Sequence, residues 1–292
     1  MTTTTTTANL RTNYHTHSNY CDGIGEIADY LAAAVAAGLD SYGVSSHAPV
    51  PIVGGDDWMM PLGKLPQYVA EVRRLRGEYA GRLPVYMGLE LDYAPGLADW
   101  YTREILPHRF DYFVGSVHYA GVDGADVPWC IDESAARFAD GLATGYDGDI
   151  RRALETYFAL QREMAAARIP GIAIVGHMDK AKMWNFDDTY FHETDAWYVS
   201  AIEETLRVFK AAGLIVELNT AGMRRQIAAP YPSSWVLARC HALGVPVCVN
   251  TDAHKPDEIT AGFPEAEAIL RDVGITEVMV RVGEQWEPRA VV

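Results

Sequence analysis

Amphipathic segments with helical spacing alternate with short apolar runs along most of this chain. The helices predicted by this spacing cover residues 25–37, 67–79, 150–168, 195–212, 234–243 and 265–272. The strands predicted by the apolar runs cover residues 10–13, 41–46, 84–91, 111–117, 172–176, 214–218 and 246–250, with residues 277–282 as one further strand. Strands that alternate with helices in this way predict a parallel sheet with right-handed crossovers.

Two α/β architectures fit seven strands that alternate with helices. One is a closed βα barrel in a single domain, and the other is a doubly wound sheet in two domains. No Gly-rich phosphate loop follows the first strand and no linker composition divides the chain, so we expect the barrel. We expect residues 1–9, which contain a run of threonines, to be a disordered tail and residues 10–292 to form the domain.

Residues 120–149 interrupt the alternation of strands and helices. The segment is acidic and shows no clear period, and Asp149 at its end is placed to cap the helix that follows. A long excursion of this kind is more often functional than a plain linker. We therefore predict an irregular loop that serves as a lid or as a wall of a substrate site.

Candidate metal ligands collect at the ends of the predicted strands. Six of the nine histidines lie there: His15, His17, His47, His118, His177 and His254. Because the carboxyl ends of all strands meet at one mouth of a βα barrel, these side chains are expected to converge. Together with Asp22, Glu90 and Asp252 they make nine candidate ligands, which are too many for one metal ion and suit two or three. Any single one of them could instead be a hydrogen-bonded residue of the barrel rim.

The spacing of these residues supports a shared site. His15 and His17 are two residues apart at a strand end, so their side chains lie on the same face and can reach one point. Asp252 and His254 repeat this spacing. Glu90 adds a carboxylate, which can bridge two metal ions as an imidazole cannot. Asp22 lies in a loop, where it could cap the next helix instead of binding metal.

The charge of the chain limits its partners. The 39 acidic residues outnumber the 24 Lys and Arg residues, which gives a formal net charge of −15. Such a surface repels nucleic acid and anionic membranes, so we expect neither as a partner and favour a small-molecule substrate. No apolar run is long enough to cross a bilayer, no leader opens the sequence, and the four cysteines form no Cys-x-x-Cys motif. We expect a cytoplasmic protein with reduced cysteines and leave a homo-oligomer open.

The motifs around these ligands resemble the PHP (polymerase and histidinol phosphatase) superfamily. The matching stretches are His15-x-His17, Asp22, Ser46-His47 and residues 88–92, 115–118, 176–179 and 251–254. Residues 21–23, 47–49, 92–93, 111–118 and 219–224 are more similar to its histidinol-phosphate phosphatase branch. The resemblance covers residues 10 to 275 and implies a distorted (β/α)7 barrel of the TIM type.

The resemblance also implies a ligand set for three divalent ions, with Zn, Fe and Mn all suited to His and carboxylate ligands. One ion would be held by His15, His17, Glu90 and Asp252. A second would be held by Glu90, His118 and His177, and a third by Asp22, His47 and His254. Related proteins vary at the position of Asp22. Glu90, Asp252 and His254 are the expected catalytic residues.

The implied reaction is hydrolysis of L-histidinol phosphate to L-histidinol and phosphate, a step of histidine biosynthesis, by a metal-activated hydroxide. Arg224 matches the phosphate-binding arginine of the family, Lys182 resembles a second basic position, and Arg225 is a third candidate. Arg225 and Lys180 could equally be solvated surface charges. The aromatic candidates for the pocket wall are Trp58, Tyr93, Tyr119, Trp129, Trp184 and Tyr231, with Asp132 or Glu133 placed to attract a cationic substrate.

Three alternatives to this function stay open. A PHP phosphoesterase that acts on another small phosphomonoester would use the same metals and the same basic residues. A nucleic-acid-processing member should show a basic track, which the acidic composition opposes. A non-catalytic metal-binding module should have lost some ligands, whereas all nine positions are filled here.

Overall fold

The computed structural model describes residues 10–51, 58–125 and 127–291. The predicted tail, residues 1–9, lies outside the described residues, as does part of the Pro- and Gly-rich loop after the second strand. The strands are β1 (Thr12–Asn13), β2 (Ser41–Val44), β3 (Val85–Asp92), β4 (Tyr112–Ser116), β5 (Tyr119–Val122), β6 (Pro128–Cys130), β7 (Ile172–Val175), β8 (Ile215–Asn219), β9 (Val247–Asn250), β10 (Glu277–Val282) and β11 (Gln285–Ala290). The helices are α1 (Ile27–Ala36), α2 (Leu65–Tyr79), α3 (Ala98–Trp100), α4 (Ala135–Tyr146), α5 (Ile150–Ala167), α6 (Ala196–Ala212), α7 (Ser234–Leu243) and α8 (Phe263–Asp272).

Seven of these strands form one parallel sheet in the order β1-β2-β3-β4-β7-β8-β9. The sheet almost closes on itself, because Thr16 and Ala253 form a parallel bridge beyond the ends of β1 and β9. The His17 amide donates a 2.8 Å hydrogen bond to the Ala253 carbonyl across this junction. With only two residues in β1, the closure is short and irregular. The predicted distorted (β/α)7 barrel is confirmed, and the doubly wound alternative is wrong.

Aromatic rings fill the amino end of the barrel. Tyr112, the first residue of β4, packs edge-on against Tyr14 at a ring distance of 6.1 Å. Its ring occupies space next to Gly43 and Gly88, where an added Cβ would overlap it. These two positions therefore require glycine so that the strands can approach the ring.

The antiparallel pair β10 and β11 covers this end of the barrel. Trp286 packs against Tyr14 with ring centres 5.1 Å apart, and the Arg281 amide donates to the Tyr14 hydroxyl at 2.9 Å. The sequence predicted β10 with its observed bounds but missed β11. Most residues of β11 are exposed, so the strand lacks the apolar alternation that would predict it.

The prediction of an irregular segment over residues 120–149 is wrong. β5 and β6 form a hairpin, and α4 follows it with Ser134 as a side-chain cap that accepts a hydrogen bond from the Arg137 amide at 3.2 Å. The buried residues Phe138, Leu142 and Tyr146 of α4 are spaced by four, which is a helical signal present in the sequence.

The residues at the N-cap positions of α5 and α7 make different contacts. Asp149 caps α5 by accepting from the Arg152 amide at 3.0 Å, as expected. Ser233 occupies the cap position of α7, but its side chain makes no cap hydrogen bond and instead contacts Lys182 and Glu193. Among the described residues, the helices are too short or too polar to cross a membrane.

Candidate metal centre

The nine predicted ligands lie together at the carboxyl end of the barrel. His15 and His17 follow β1, His47 follows β2, Glu90 lies in β3, His118 follows β4, His177 follows β7, Asp252 and His254 follow β9, and Asp22 lies in the loop before α1. Seven of the nine are buried, and the side chains of Asp22 and His254 are 32% and 26% exposed. The structure thus brings together the eight side chains at strand ends and the loop residue Asp22, while their roles as ligands stay predictions.

Glu90 is at the centre of this cluster. Its Oε2 lies 3.1 Å from His15 Nε2 and 3.0 Å from His47 Nδ1. Its Oε1 lies 3.0 Å from His177 Nε2 and accepts a 2.6 Å hydrogen bond from the Ser116 hydroxyl. A single carboxylate thus presents its two oxygens to different groups of imidazoles, which is the arrangement expected of a bridging ligand.

The side chains form four overlapping groups whose ligand atoms all lie within 4.8 Å of one another. The groups are His15, His17 and Glu90; Glu90, His118 and His177; His15, His177 and Asp252; and His17, Asp22, His47 and His254. These groups follow the predicted three-ion partition closely. There are two differences: His17 also lies beside the outermost group, with its Nδ1 3.6 Å from Asp22 Oδ1, and His177 also groups with His15 and Asp252.

The hydrogen bonding of the cluster fits bound metal. Seven of its buried atoms have no hydrogen-bond partner among the described residues: His15 Nε2, His17 Nε2, His47 Nδ1, Glu90 Oε2, His118 Nε2, His177 Nδ1 and Asp252 Oδ1. Buried polar atoms without partners are costly and rare in proteins. Because these atoms face one another, divalent ions would satisfy them together. The nitrogen and oxygen donors suit Zn, Fe or Mn.

Proton affinities in the cluster are strongly shifted. Burial, with His254 and His47 nearby, lowers the pKa of His17 to about 3, so this imidazole is neutral and ready to bind metal. Burial opposes the charge of Glu90, but His15 and His47 hold the pKa of this carboxyl well below its usual range. Burial likewise opposes protonation of His15, while Glu217 and Glu90 raise its pKa well above the ordinary value. The ions would therefore displace protons from the site when they bind.

Asp22 lies in the outermost group rather than at a helix cap. Its Oδ2 is 3.2 Å from His254 Nε2, and α1 is instead capped by a reciprocal pair formed by Glu26 and Asp29. Its role as a ligand stays a prediction. We expect Asp22→Ala to bind about one ion fewer than the parent and to lose less activity than His15→Ala, because it leaves the groups around Glu90 intact. Metal analysis by mass spectrometry with parallel kinetics tests this, and equal metal content and equal turnover would contradict it.

The cluster opens into a cavity of about 350 Å³. Of the predicted wall residues, Trp58, Asp132, Glu133, Trp184 and Tyr231 line it. The other aromatic candidates, Tyr93, Tyr119 and Trp129, are not among its lining residues. Trp184 is fixed in place because its Nε1 donates to the Ile131 carbonyl at 2.9 Å. The cavity therefore combines metal ligands, acids and aromatic faces.

Of the three predicted phosphate-binding cations, one lines this cavity. Arg225 and Lys180 line it, and Lys180 Nζ lies 2.9 Å from Asp132 Oδ2. Arg224 lines another groove, and its guanidinium donates to the Thr251 carbonyl at 2.9 Å and to the Asp252 carbonyl at 3.4 Å. Lys182 is 1% exposed and lies 2.8 Å from Asp179 Oδ2. Neither Arg224 nor Lys182 is among the residues that line the cavity, and their phosphate-binding roles stay predictions.

Sequence reasoning also missed two carboxylates behind the ligands. Asp92 Oδ1 lies 2.7 Å from His118 Nδ1, and Glu217 Oε2 lies 3.0 Å from His15 Nδ1. Asp92 was visible next to Glu90, but nothing in the sequence indicates which histidine it contacts. Glu217 stands out only as an acid inside an otherwise apolar strand, Ile215–Asn219.

Comparisons with known proteins agree with this site and fold. A Deinococcus radiodurans protein named "Probable histidinol-phosphatase" is 33% identical over 268 residues, which cover 91% of this chain and 95% of that protein. A crystal structure from Listeria monocytogenes assigned as a histidinol phosphatase matches with a TM-score of 0.79 at 22% identity, over 87% of this chain and 99% of that one.

A second solved structure has the same fold. It is the histidinol phosphate phosphatase of Lactococcus lactis in complex with zinc, L-histidinol and phosphate, and it matches with a TM-score of 0.71 at 19% identity. The match covers 95% of this chain and 98% of that one. The family model described as the PHP domain matches residues 13–221. This range contains seven of the nine clustered side chains, and the chain belongs to the PHP domain family.

Proposed function

We propose that this chain is a metal-dependent histidinol-phosphatase that hydrolyses L-histidinol phosphate to L-histidinol and phosphate. One observation carries the proposal: buried ligand atoms without hydrogen-bond partners face one another beside a cavity that also presents Lys180 and Arg225. Metal ligands and cations in one cavity are what a phosphomonoester requires. The relative named "Probable histidinol-phosphatase", which aligns with 91% of this chain, supports the choice of substrate.

We propose two to three divalent ions, with Zn, Fe or Mn as the candidates. His15, His17, Glu90 and Asp252 would hold one, Glu90, His118 and His177 a second, and Asp22, His47 and His254 the third. Divalent ions bound there would lower the pKa of water and bind phosphoryl oxygens during an in-line displacement. Glu90, Asp252 and His254 keep their proposed catalytic roles through these contacts.

Lys180 and Arg225 are the proposed phosphate-binding residues of this site. Burial opposes the charge of Lys180, but Asp132, together with Asp252 and Glu90, raises the pKa of this ammonium well above its usual value. It therefore stays charged at neutral pH. Arg225 offers a planar guanidinium that can donate two parallel hydrogen bonds to a phosphate. Both line the cavity, which supports Lys180 and the sequence-based candidate Arg225 over the other two sequence-based candidates, Arg224 and Lys182.

The leaving alcohol would lie against the aromatic and acidic wall. L-Histidinol carries an amine and an imidazole, so it is a small cationic alcohol. Of the two predicted wall acids, Asp132 is paired with Lys180, whereas Glu133 lines the cavity with its side chain about half exposed and its Oε2 3.5 Å from Arg137 Nε. The faces of Trp58 and Trp184 provide cation–π contacts to the same substrate. This side of the cavity therefore favours a cationic alcohol over a neutral or anionic one.

Two broader properties stay predictions. The four cysteines, Cys21, Cys130, Cys240 and Cys248, are all unpaired in the described structure, which supports the proposed cytoplasmic location. The assembly of the chain into a homo-oligomer is left to measurement by light scattering.

Removing the metal tests the proposal. We expect a chelator to abolish phosphate release from L-histidinol phosphate without unfolding the chain, because a large hydrophobic core packs the strands against the helices independently of the ligand side chains. Circular dichroism should show intact secondary structure, and adding back Zn²⁺, Mn²⁺ or Fe²⁺ should restore turnover. Full turnover by a sample shown to be free of metal would contradict a metal-dependent reaction.

A further inference from the structure

Glu217 of β8 is a buried carboxylate directly behind the candidate metal cluster. Its side chain is fully buried, and its oxygens lie 3.1 and 3.0 Å from Nδ1 of His15. Oε1 also accepts from the His177 amide and the Asn219 side-chain amide, each at 2.8 Å. Oε2 accepts from the Asn250 side-chain amide at 2.8 Å. One carboxylate thus contacts residues at the ends of β1, β7, β8 and β9.

All of these partners can act as donors, so the site requires an acceptor. An ionised carboxylate only accepts, and it can accept several hydrogen bonds at once. A glutamine of the same shape would present an NH₂ group to partners that also donate. The set of contacts therefore specifies a charged glutamate at this position rather than any polar residue.

The contact with His15 has a consequence for metal binding. When Nδ1 donates its hydrogen to Glu217, the neutral imidazole has its lone pair on Nε2. His15 Nε2 is the atom that faces the cluster, 3.1 Å from Glu90 Oε2 and 3.7 Å from Asp252 Oδ1, and it has no hydrogen-bond partner among the described residues. Glu217 thus selects the tautomer of His15 that can bind a metal ion.

A second histidine of the cluster has the same arrangement. Asp92 Oδ1 lies 2.7 Å from Nδ1 of His118 and also accepts from the His118 amide at 3.1 Å. His118 Nε2 faces the cluster, again without a hydrogen-bond partner among the described residues. Two imidazoles on opposite sides of Glu90 are therefore oriented by carboxylates behind them.

We propose that Glu217 is a positioning residue that fixes the orientation and tautomer of His15 and thereby sets the affinity of the site for divalent metal. The proposal rests on the metal-dependent function given above. Removing an outer carboxylate of this kind weakens metal binding by about 10- to 100-fold in proteins where it has been measured. Glu217 does not itself line the cavity, so it acts through His15.

The test is the Zn²⁺ dissociation constant, measured by competition with a chelating dye and without substrate. We expect Glu217→Gln to raise this constant by about 10- to 100-fold. The matched control is Asp179→Asn, which also replaces a buried carboxylate at this end of the barrel but contacts Lys182 and Ser233 instead of the predicted ligands. The control should bind Zn²⁺ as the parent does. A folded Glu217→Gln protein with the affinity of the parent would overturn the proposal.

A double-mutant cycle separates positioning from general support of the fold. In a His15→Ala background, Glu217→Gln should cause little further loss of Zn²⁺ affinity, because the histidine through which it acts is gone. If the losses in Zn²⁺ binding free energy of the two single variants add in full in the double variant, Glu217 acts only by supporting the fold, and the proposal is wrong.

Two further readouts keep the proposal testable. If Glu217→Gln does not fold, NMR of the zinc-loaded parent labelled with ¹⁵N-histidine should show the His15 proton on Nδ1, and a proton on Nε2 would overturn the proposal.

Failure of the proposed function would give a different result from failure of the Glu217 proposal. A parent that binds Zn²⁺ but does not hydrolyse L-histidinol phosphate counts against the substrate, while the Zn²⁺ affinities still test Glu217.

Discussion

Replacing Glu90 by glutamine should lower kcat/KM for L-histidinol phosphate by at least about 100-fold, or about 2.7 kcal/mol of transition-state stabilisation, because an amide is a much poorer bridge between metal ions than a carboxylate. The carboxylate faces His15 and His47 through one oxygen and His177 through the other. A neutral amide presents one acceptor and one donor in their place. The variant should therefore also bind fewer metal ions than the parent.

Kinetics and metal analysis on the same preparation measure both effects. Glu203→Gln is a suitable control, since Glu203 lies on α6 in ion pairs with Arg207 and Arg239 and lies outside the cavity lining. The control should retain parental activity and metal content. If Glu90→Gln turns over at the parental rate with a full complement of metal, Glu90 is not the bridging ligand.

The second large effect is expected at the cations of the cavity. Lys180→Ala and Arg225→Ala should each lower kcat/KM by about 10- to 100-fold, because each removes a charge-assisted contact worth about 1.5–3 kcal/mol. Arg225→Lys should recover only part of the loss, since an ammonium cannot donate two parallel hydrogen bonds in a plane. Metal content should stay at the parental value in all three variants.

Arg224→Ala is the discriminating comparison. The sequence assigned the phosphate to Arg224, whereas the structure places its guanidinium against the Thr251 carbonyl and 3.7 Å from Glu258 Oε2. We expect this variant to lose less activity than Arg225→Ala. A larger loss of activity for Arg224→Ala, with the activities of Lys180→Ala and Arg225→Ala unchanged, would indicate that Arg224 binds the phosphate.

The sequence predicted the barrel because its signals are local. Apolar runs, helical spacing and glycine stops such as Gly244 each depend on a few neighbouring residues. The ligands were predictable for a related reason. His15, His47 and His118 each follow a strand of a parallel barrel, so their position in the sequence alone fixes the end of the barrel at which they lie.

The missed features depend on contacts between residues that are distant in the sequence. Glu217 and His15 are 202 residues apart, so no spacing rule connects them. Lys180 and Lys182 belong to one short helical turn, Lys180–Trp184, and only the fold shows that Asp132 binds the first and Asp179 the second. The failure at α4 is different, because its helical spacing was present but the surrounding acidic residues obscured it.

The most direct test of the proposed activity is a comparison of phosphomonoesters with the metal-replete protein. Phosphate release should be measured for L-histidinol phosphate, for a generic aryl phosphate, and for the analogue of L-histidinol phosphate that lacks the amine. The acidic and aromatic wall around Glu133 and Trp184 should favour the cationic alcohol. We expect kcat/KM to be highest for L-histidinol phosphate, by at least about tenfold, which corresponds to about 1.4 kcal/mol of differential binding. Hydrolysis of L-histidinol phosphate no faster than that of the aryl phosphate would contradict the assignment.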